Sequence, residues 1–269
     1  MADGDGRIAA LRSALEPHLP HTLVALDFDG VLAPIVDRPE DARALPGTAR
    51  LLARIAERVA RVAIVTGRPA ADAVRLGELA DVPGLVVLGH YGLQRWSSGR
   101  LETPDVVRGV TLARPRLAAL VERTSGVTLE DKHHSLAVHT RRAVDPQGVL
   151  DALHEEVATI AAESGLQLTP GRFVLEVRPA GIDKGVAVRQ LVDEVGARAV
   201  VYAGDDLGDL PAVDAVRQLA TSGVTGVVIC SDTNESVPGL RERADVVVPG
   251  PAGVRDALDV LVLSEPGGA

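Results

Sequence analysis

Leu23-Val24-Ala25-Leu26-Asp27-Phe28-Asp29-Gly30 sets four apolar β-formers directly against two aspartates and a glycine. Buried parallel strands read as continuous apolar runs, and open α/β sheets carry their sites beyond the carboxyl ends of the strands. The same arrangement occurs twice more, in Val62-Ala63-Ile64-Val65-Thr66-Gly67-Arg68 and in Val200-Val201-Tyr202-Ala203-Gly204-Asp205-Asp206. Aspartate and glycine also end strands simply by making turns. One such cluster is ordinary; three at strand ends, each followed by a helix-like segment, point to one shared site. Four carboxylates, a hydroxyl and a divalent cation at one sheet edge suit metal-assisted phosphoryl chemistry.

Working outward, residues 21–27, 61–66 and 85–89 read as strands, with helices over 46–60 and 69–80 between them. The rhythm resumes with a helix at 183–196, a strand at 199–203, a helix near 209–219, strands at 225–230 and 244–248, and a closing helix over 252–263. Together these halves predict a doubly wound parallel sheet. The section between about 100 and 178 has another order, helix (104–124), two strands (127–132, 135–141), helix (146–164), two strands (166–170, 172–178). Adjacent strands on short links form antiparallel hairpins, so an α+β unit over 99–179 is expected to lie within a core of 1–98 and 180–269, acting as a lid. The borders fall at Ser97-Ser98-Gly99 and Pro179-Ala180-Gly181, and residues 1–5 and 265–269 read as frayed tails.

The 269 residues are 46% hydrophobic, enough for real cores, and carry a formal net charge of -9. A nucleic-acid partner would require a basic face that this composition does not supply. No run approaches a membrane span and no basic-then-apolar leader is visible, so the expected location is the cytoplasm. Cys230, the single cysteine, ends an apolar run and reads as a small buried side chain. His133, His134 and His139 alternate across strand faces with no cysteine beside them, which argues against a zinc site.

Asp29 stands two residues from Asp27, on the same side of an extended segment, so one carboxylate can attack phosphorus while the other serves the leaving oxygen. Lys184, at the predicted start of a helix, can bring an ammonium to a phosphoryl oxygen, and Thr66 can donate a hydroxyl bond or cap the helix that follows it. Asp205 reads as a metal ligand. Asp206 and Asp209 read as groups that hold metal-bound water or orient Lys184, with one of them equally able to cap a helix. An acidic cluster of this kind repels a phosphate ester unless a cation stands between, so Mg²⁺ is the expected cofactor.

The order Asp-x-Asp-Gly, Thr-Gly-Arg, Lys and Gly-Asp-Asp resembles the four motifs of the haloacid dehalogenase superfamily of phosphatases. Gly89-His90-Tyr91-Gly92-Leu93, Leu129-Glu130-Asp131-Lys132, Ala137-Val138-His139-Thr140-Arg141 and Leu175-Glu176-Val177-Arg178 running on to Gly185 narrow that resemblance to the trehalose-6-phosphate phosphatases. The resemblance implies Asp27 as nucleophile, Asp29 as acid and base, and a Mg²⁺ shell of Asp27, Asp205 and the Asp29 carbonyl. It also implies a cap in which Glu130, Lys132 and Glu176 meet sugar hydroxyls and Arg141 lies toward the phosphate. Arg68 is expected as a further substrate contact, and His90, in a post-strand loop near the expected cleft, reads equally as a substrate hydrogen bond or a structural loop bond. A glutamate common after Gly-Asp-Asp is replaced here by Leu210, and Gln94 stands where many relatives have Glu. The expected partner is a small sugar phosphate bound by a monomer, with no nucleic acid or membrane. Another sugar phosphate, such as sucrose phosphate or a mannosyl phosphate, and a non-catalytic sugar-phosphate sensor are the rival readings.

Overall fold

The computed structural model describes residues 2–234 and 236–263, the side chains of residues 2–5 excepted. In chain order the elements are α1 (Ala2–Leu15), β1 (Thr22–Leu26), α2 (Thr48–Ala56), β2 (Arg61–Val65), α3 (Ala70–Gly77), β3 (Val86–Gly89), β4 (Gln94–Ser97) and β5 (Arg100–Glu102). They continue with α4 (Arg108–Glu122), β6 (Thr128–Asp131), β7 (Leu136–His139), α5 (Pro146–Glu163), β8 (Leu166–Gly171) and β9 (Val174–Pro179). The last set is α6 (Lys184–Val195), β10 (Ala199–Gly204), α7 (Leu210–Thr221), β11 (Thr225–Ser231), α8 (Pro238–Arg241), β12 (Val246–Val248) and α9 (Gly250–Leu258).

Two compact units result, one from the residues up to Glu102 together with those from Asp183 onward, the other spanning Thr103–Ile182. The first holds an eight-stranded sheet in the order β12-β11-β10-β1-β2-β3-β4-β5, parallel from β12 to β3. Side-chain alternation divides its core. Val24, Leu26, Val62 and Ile64 join an apolar cluster with residues of α1, α2, α3 and α9, while Leu23, Ala25, Val200 and Tyr202 join one with residues of α6 and α7. Burying both faces is what permits the unbroken apolar runs of β1, β2 and β10.

Two features depart from the sequence reading. The wholly parallel sheet gives way at one edge to an antiparallel hairpin, β4 on β3 and β5 on β4. Ser98 and Gly99, with φ of 50° and 78°, form its two-residue turn, the left-handed pair that hairpin twist favours. The supposed hinge at 97–99 is therefore the end of β4 and a turn within the core, and residues 100–102 belong to the sheet. At the amino end a helix runs from Ala2, and Leu15 is buried with Ile8 and Leu11 packed on the core, so residues 2–5 are helical in backbone and not a frayed tail. The tail expected at 265–269 lies outside the described residues.

The second unit is a four-stranded antiparallel sheet, β6-β7-β9-β8. Leu136, Val138, Leu175, Val177 and Leu166 turn inward onto Leu117, Leu120, Leu153 and Val157 of α4 and α5. Alternation then puts Glu130, Ala137, Glu176 and Thr169 in one row across the opposite, polar face. Among the described residues no helix is long and apolar enough to cross a membrane.

Candidate active site

β1 ends in a backbone bond from Asp27 N to the carbonyl of Ala203 on β10, which delivers Asp27 and Asp205 to the same edge of the sheet. Lys184, the first residue of α6, is buried, and its Nζ lies 2.9 Å from Asp27 Oδ2 and 2.7 Å from Asp209 Oδ1. A cation at a helix N-terminus opposes the helix dipole, so only these carboxylates account for a buried lysine there. Burial works against the ammonium, yet the charges of Asp209 and Asp27 outweigh it and hold the pKa of Lys184 above its ordinary value.

Asp209 is the hub of the cluster. Its Oδ1 accepts from Lys184 and, at 2.5 Å, from the hydroxyl of Tyr202, and its Oδ2 accepts from the backbone N–H groups of Asp205 and Asp206. Burial raises its pKa, but Lys184 and these donors win and lower it. Asp206 caps the turn at Leu207–Asp209, its Oδ1 accepting from Gly208 N at 2.8 Å, and burial with the charge of Asp209 lifts its carboxyl to about 6. Of the alternatives read from the sequence, metal-bound water, orientation of Lys184 or a cap, the bonds give Asp209 to Lys184 and Asp206 to the capping turn, and neither is placed as a direct metal ligand.

Asp27, Asp205 and Asp209 each offer an oxygen within 4.8 Å of the others. Burial pushes the Asp205 carboxyl up to about 10 and also raises Asp27, because one ammonium stands among three carboxylates. Such a set of oxygens could hold a hard divalent cation, and with Asp209 already accepting four bonds, Asp27 and Asp205 are the carboxylates with capacity to do so. Gly30 supplies the room. At φ +70° it adopts the left-handed region, and a Cβ built on it would stand 2.1 Å from Asp205 Oδ2.

Asp29 is gripped by Arg68, whose Nε and Nη2 each donate to one of its oxygens at 2.6 Å. The Arg68 Nη1 reaches the Pro39 carbonyl at 2.7 Å, and the guanidinium lies 5.5 Å over the Phe28 ring. Arg68, expected as a substrate contact, is a partner of the Asp29 carboxylate here. Thr66 is buried, and its Oγ1 accepts from Arg68 N at 3.1 Å, which leaves the hydroxyl hydrogen to donate elsewhere. His90 is buried in the turn after β3 with φ 48°, next to Tyr91 at φ 61°. Gln94 accepts from Ala70 N at 3.0 Å and so caps α3, which a glutamate could do equally well.

The second unit has a polar cluster of its own. Buried Glu176 accepts from Ser135 Oγ at 2.9 Å and from Lys132 Nζ at 3.3 Å, and Glu130 meets His139 Nε2 at 2.8 Å. That bond from His139 is the main cause of the lowered pKa of Glu130. Arg141 lies exposed in the turn after β7. The structure thus gathers Glu130, Lys132 and Glu176 on one sheet face and leaves Arg141 beyond it.

Tyr202 and Thr233 escaped sequence reasoning, and His139, weighed there only as a zinc ligand, is the partner of Glu130. Thr233 Oγ1 donates to Asp205 Oδ2 at 3.0 Å. Tyr202 carried a faint signal, since a tyrosine inside an otherwise aliphatic buried strand needs a partner for its hydroxyl.

Comparison with known proteins agrees with this geometry. The family described as trehalose-phosphatase matches residues 25–244. A trehalose-phosphate phosphatase of Mycobacterium avium is 33% identical over 229 residues, covering 80% of this chain and 56% of that protein. An uncharacterized glycosyl hydrolase of Mycobacterium tuberculosis is 32% identical over 262 residues, 87% of this chain but 18% of that protein. The chain therefore spans only part of these relatives. Among solved structures, the C-terminal domain of the C. albicans trehalose-6-phosphate phosphatase superposes with a TM-score of 0.79 at 20% identity, covering 95% of this chain and 96% of that one, a likeness of fold.

Proposed function

Since the chain belongs to the trehalose-phosphatase family, we propose that it hydrolyses trehalose 6-phosphate to trehalose and phosphate, with Asp27 as the nucleophile. The observation that carries the reading is Asp27 held 2.9 Å from a buried lysine and beside Asp205, a pairing of nucleophile, ammonium and cation donors that a mere binder does not require. Mg²⁺ held by Asp27 and Asp205 would supply positive charge to the phosphoryl oxygens.

In the first transfer an oxygen of Asp27 forms a bond to phosphorus as the bond to the sugar oxygen breaks, and Asp29 gives that oxygen a proton. In the second, water attacks the aspartyl-phosphate, Asp29 takes the water's proton, and phosphate leaves. Lys184 and the Thr66 hydroxyl donate to the equatorial oxygens where charge accumulates. Arg68 grips both oxygens of Asp29, the residue assigned to the proton transfers. The phosphate ester is a competing bidentate partner for the same guanidinium.

Two experiments test the reading. Phosphate release from trehalose 6-phosphate should cease in excess chelator and return with Mg²⁺; full turnover in chelator would overturn the metal assignment. For sugar choice, the row of Glu130, Lys132 and Glu176 presents charged groups suited to a polyhydroxylated ligand. Glu176→Gln should lower kcat/KM for trehalose 6-phosphate by about ten- to a hundredfold, with hydrolysis of p-nitrophenyl phosphate little changed. Equal losses on both esters would make Glu176 a support of the fold. Turnover of sucrose phosphate at an equal rate would favour the broader sugar-phosphate reading.

A further inference from the structure

Three hydroxyls follow one another at and beyond the end of β11, and their bonds run to both sides of the cation donors. Ser231 Oγ donates to the carbonyl of Gly30, the residue after Asp29. Thr233 Oγ1 donates to Asp205 Oδ2 at 3.0 Å. Ser236 Oγ joins them, accepting from Thr233 N at 2.7 Å and donating to the carbonyl of Ser231 at 2.9 Å. Serines and threonines at strand ends often bond only their own turn. Here two of the bonds leave it for the loops after β1 and β10, and a plain turn has no need of those.

We propose that Thr233 is a positioning residue for the cation site: its hydroxyl fixes the rotation of the Asp205 carboxylate, and Ser236 in turn fixes Thr233. The inference rests on the reading of Asp27 and Asp205 as cation donors. A carboxylate bonded through one oxygen can no longer spin about its Cβ–Cγ bond, so it offers the other oxygen in a set direction. Gly30 lets the carboxylate lie this close to the loop after β1, since a Cβ there would stand 2.1 Å from Asp205 Oδ2. Partners that orient a metal ligand typically matter by ten- to a hundredfold in metal affinity.

The test titrates Mg²⁺ into the substrate-free protein by calorimetry and, in parallel, measures the Mg²⁺ concentration that gives half-maximal phosphate release. Thr233→Val, close in shape but without the donor, should weaken Mg²⁺ binding by about ten- to a hundredfold. The shift in Mg²⁺ requirement should exceed the fall in kcat at saturating metal. Thr233→Ser, which keeps the hydroxyl, should bind nearly as the unsubstituted protein does, and the metal-free melting temperatures of all three should agree. Val and Thr titrating alike would overturn the proposal, as would a loss that Ser does not rescue and that a lower metal-free melting temperature accompanies. Should Thr233→Val not fold, Ser236→Ala carries the test: a smaller loss of the same sign supports the proposal and an unchanged affinity overturns it. Failure of the unsubstituted protein to bind Mg²⁺ overturns the cation reading itself, and this inference with it.

Discussion

Asp27→Asn is expected to lower phosphate release from trehalose 6-phosphate by about four powers of ten or more, with the fold retained. The amide has nearly the shape of the carboxylate but cannot attack phosphorus. Its effect on stability should be small, because Asp27 is a buried acid whose ionised form is already disfavoured and Lys184 keeps Asp209 as a partner 2.7 Å away. Purified variant with an unchanged melting temperature and more than about a hundredth of the activity would exclude an aspartyl-phosphate route.

Asp209→Ala acts through stability. Its removal takes from Lys184 one of two carboxylate partners, Asp27 remaining at 2.9 Å, and leaves the Tyr202 hydroxyl and two backbone N–H groups without their acceptor. Breaking a buried ion pair from one side costs about 3–5 kcal/mol, so urea unfolding should shift by that order and activity should vanish with the lost orientation of Lys184. Asp209→Asn should cost less, since a carbonyl still accepts from Lys184 and Tyr202 while its amide opposes the two N–H donors. A loss below about 1 kcal/mol in the alanine variant would remove Asp209 from the centre of the cluster and return it to the role of an ordinary turn residue.

The parts of the fold that were legible were those where burial on both faces writes itself as an apolar run, as in Leu23–Leu26, Val62–Val65 and Val200–Ala203. β4 and β5 were not, because their hairpin is mostly polar, with Trp96 buried and Leu101 exposed as its apolar residues, and its Ser98-Gly99 turn looks like a linker. α1 was hidden by two glycines and two aspartates in its first half, although Ile8, Leu11 and Leu15 keep helical spacing. Within the site, Asp27, Asp205 and Lys184 could be read from motif order. The division of labour between Asp206 and Asp209 could not, since both are aspartates in one turn and only the direction of their bonds separates a cap from a hub.

The pairing of β1 with β10, Thr22 beside Ala199, also governs how the chain is made. Synthesis at about 5–20 residues per second leaves β1 without its neighbour β10 for on the order of ten seconds or more. The contiguous Thr103–Ile182 unit is complete before β10 emerges, and the sheet that carries Asp27 and Asp205 at its edge closes last. Over that interval the apolar edge of β1 is an open template for strand addition, which makes the nascent chain, more than the finished protein, the aggregation-sensitive species.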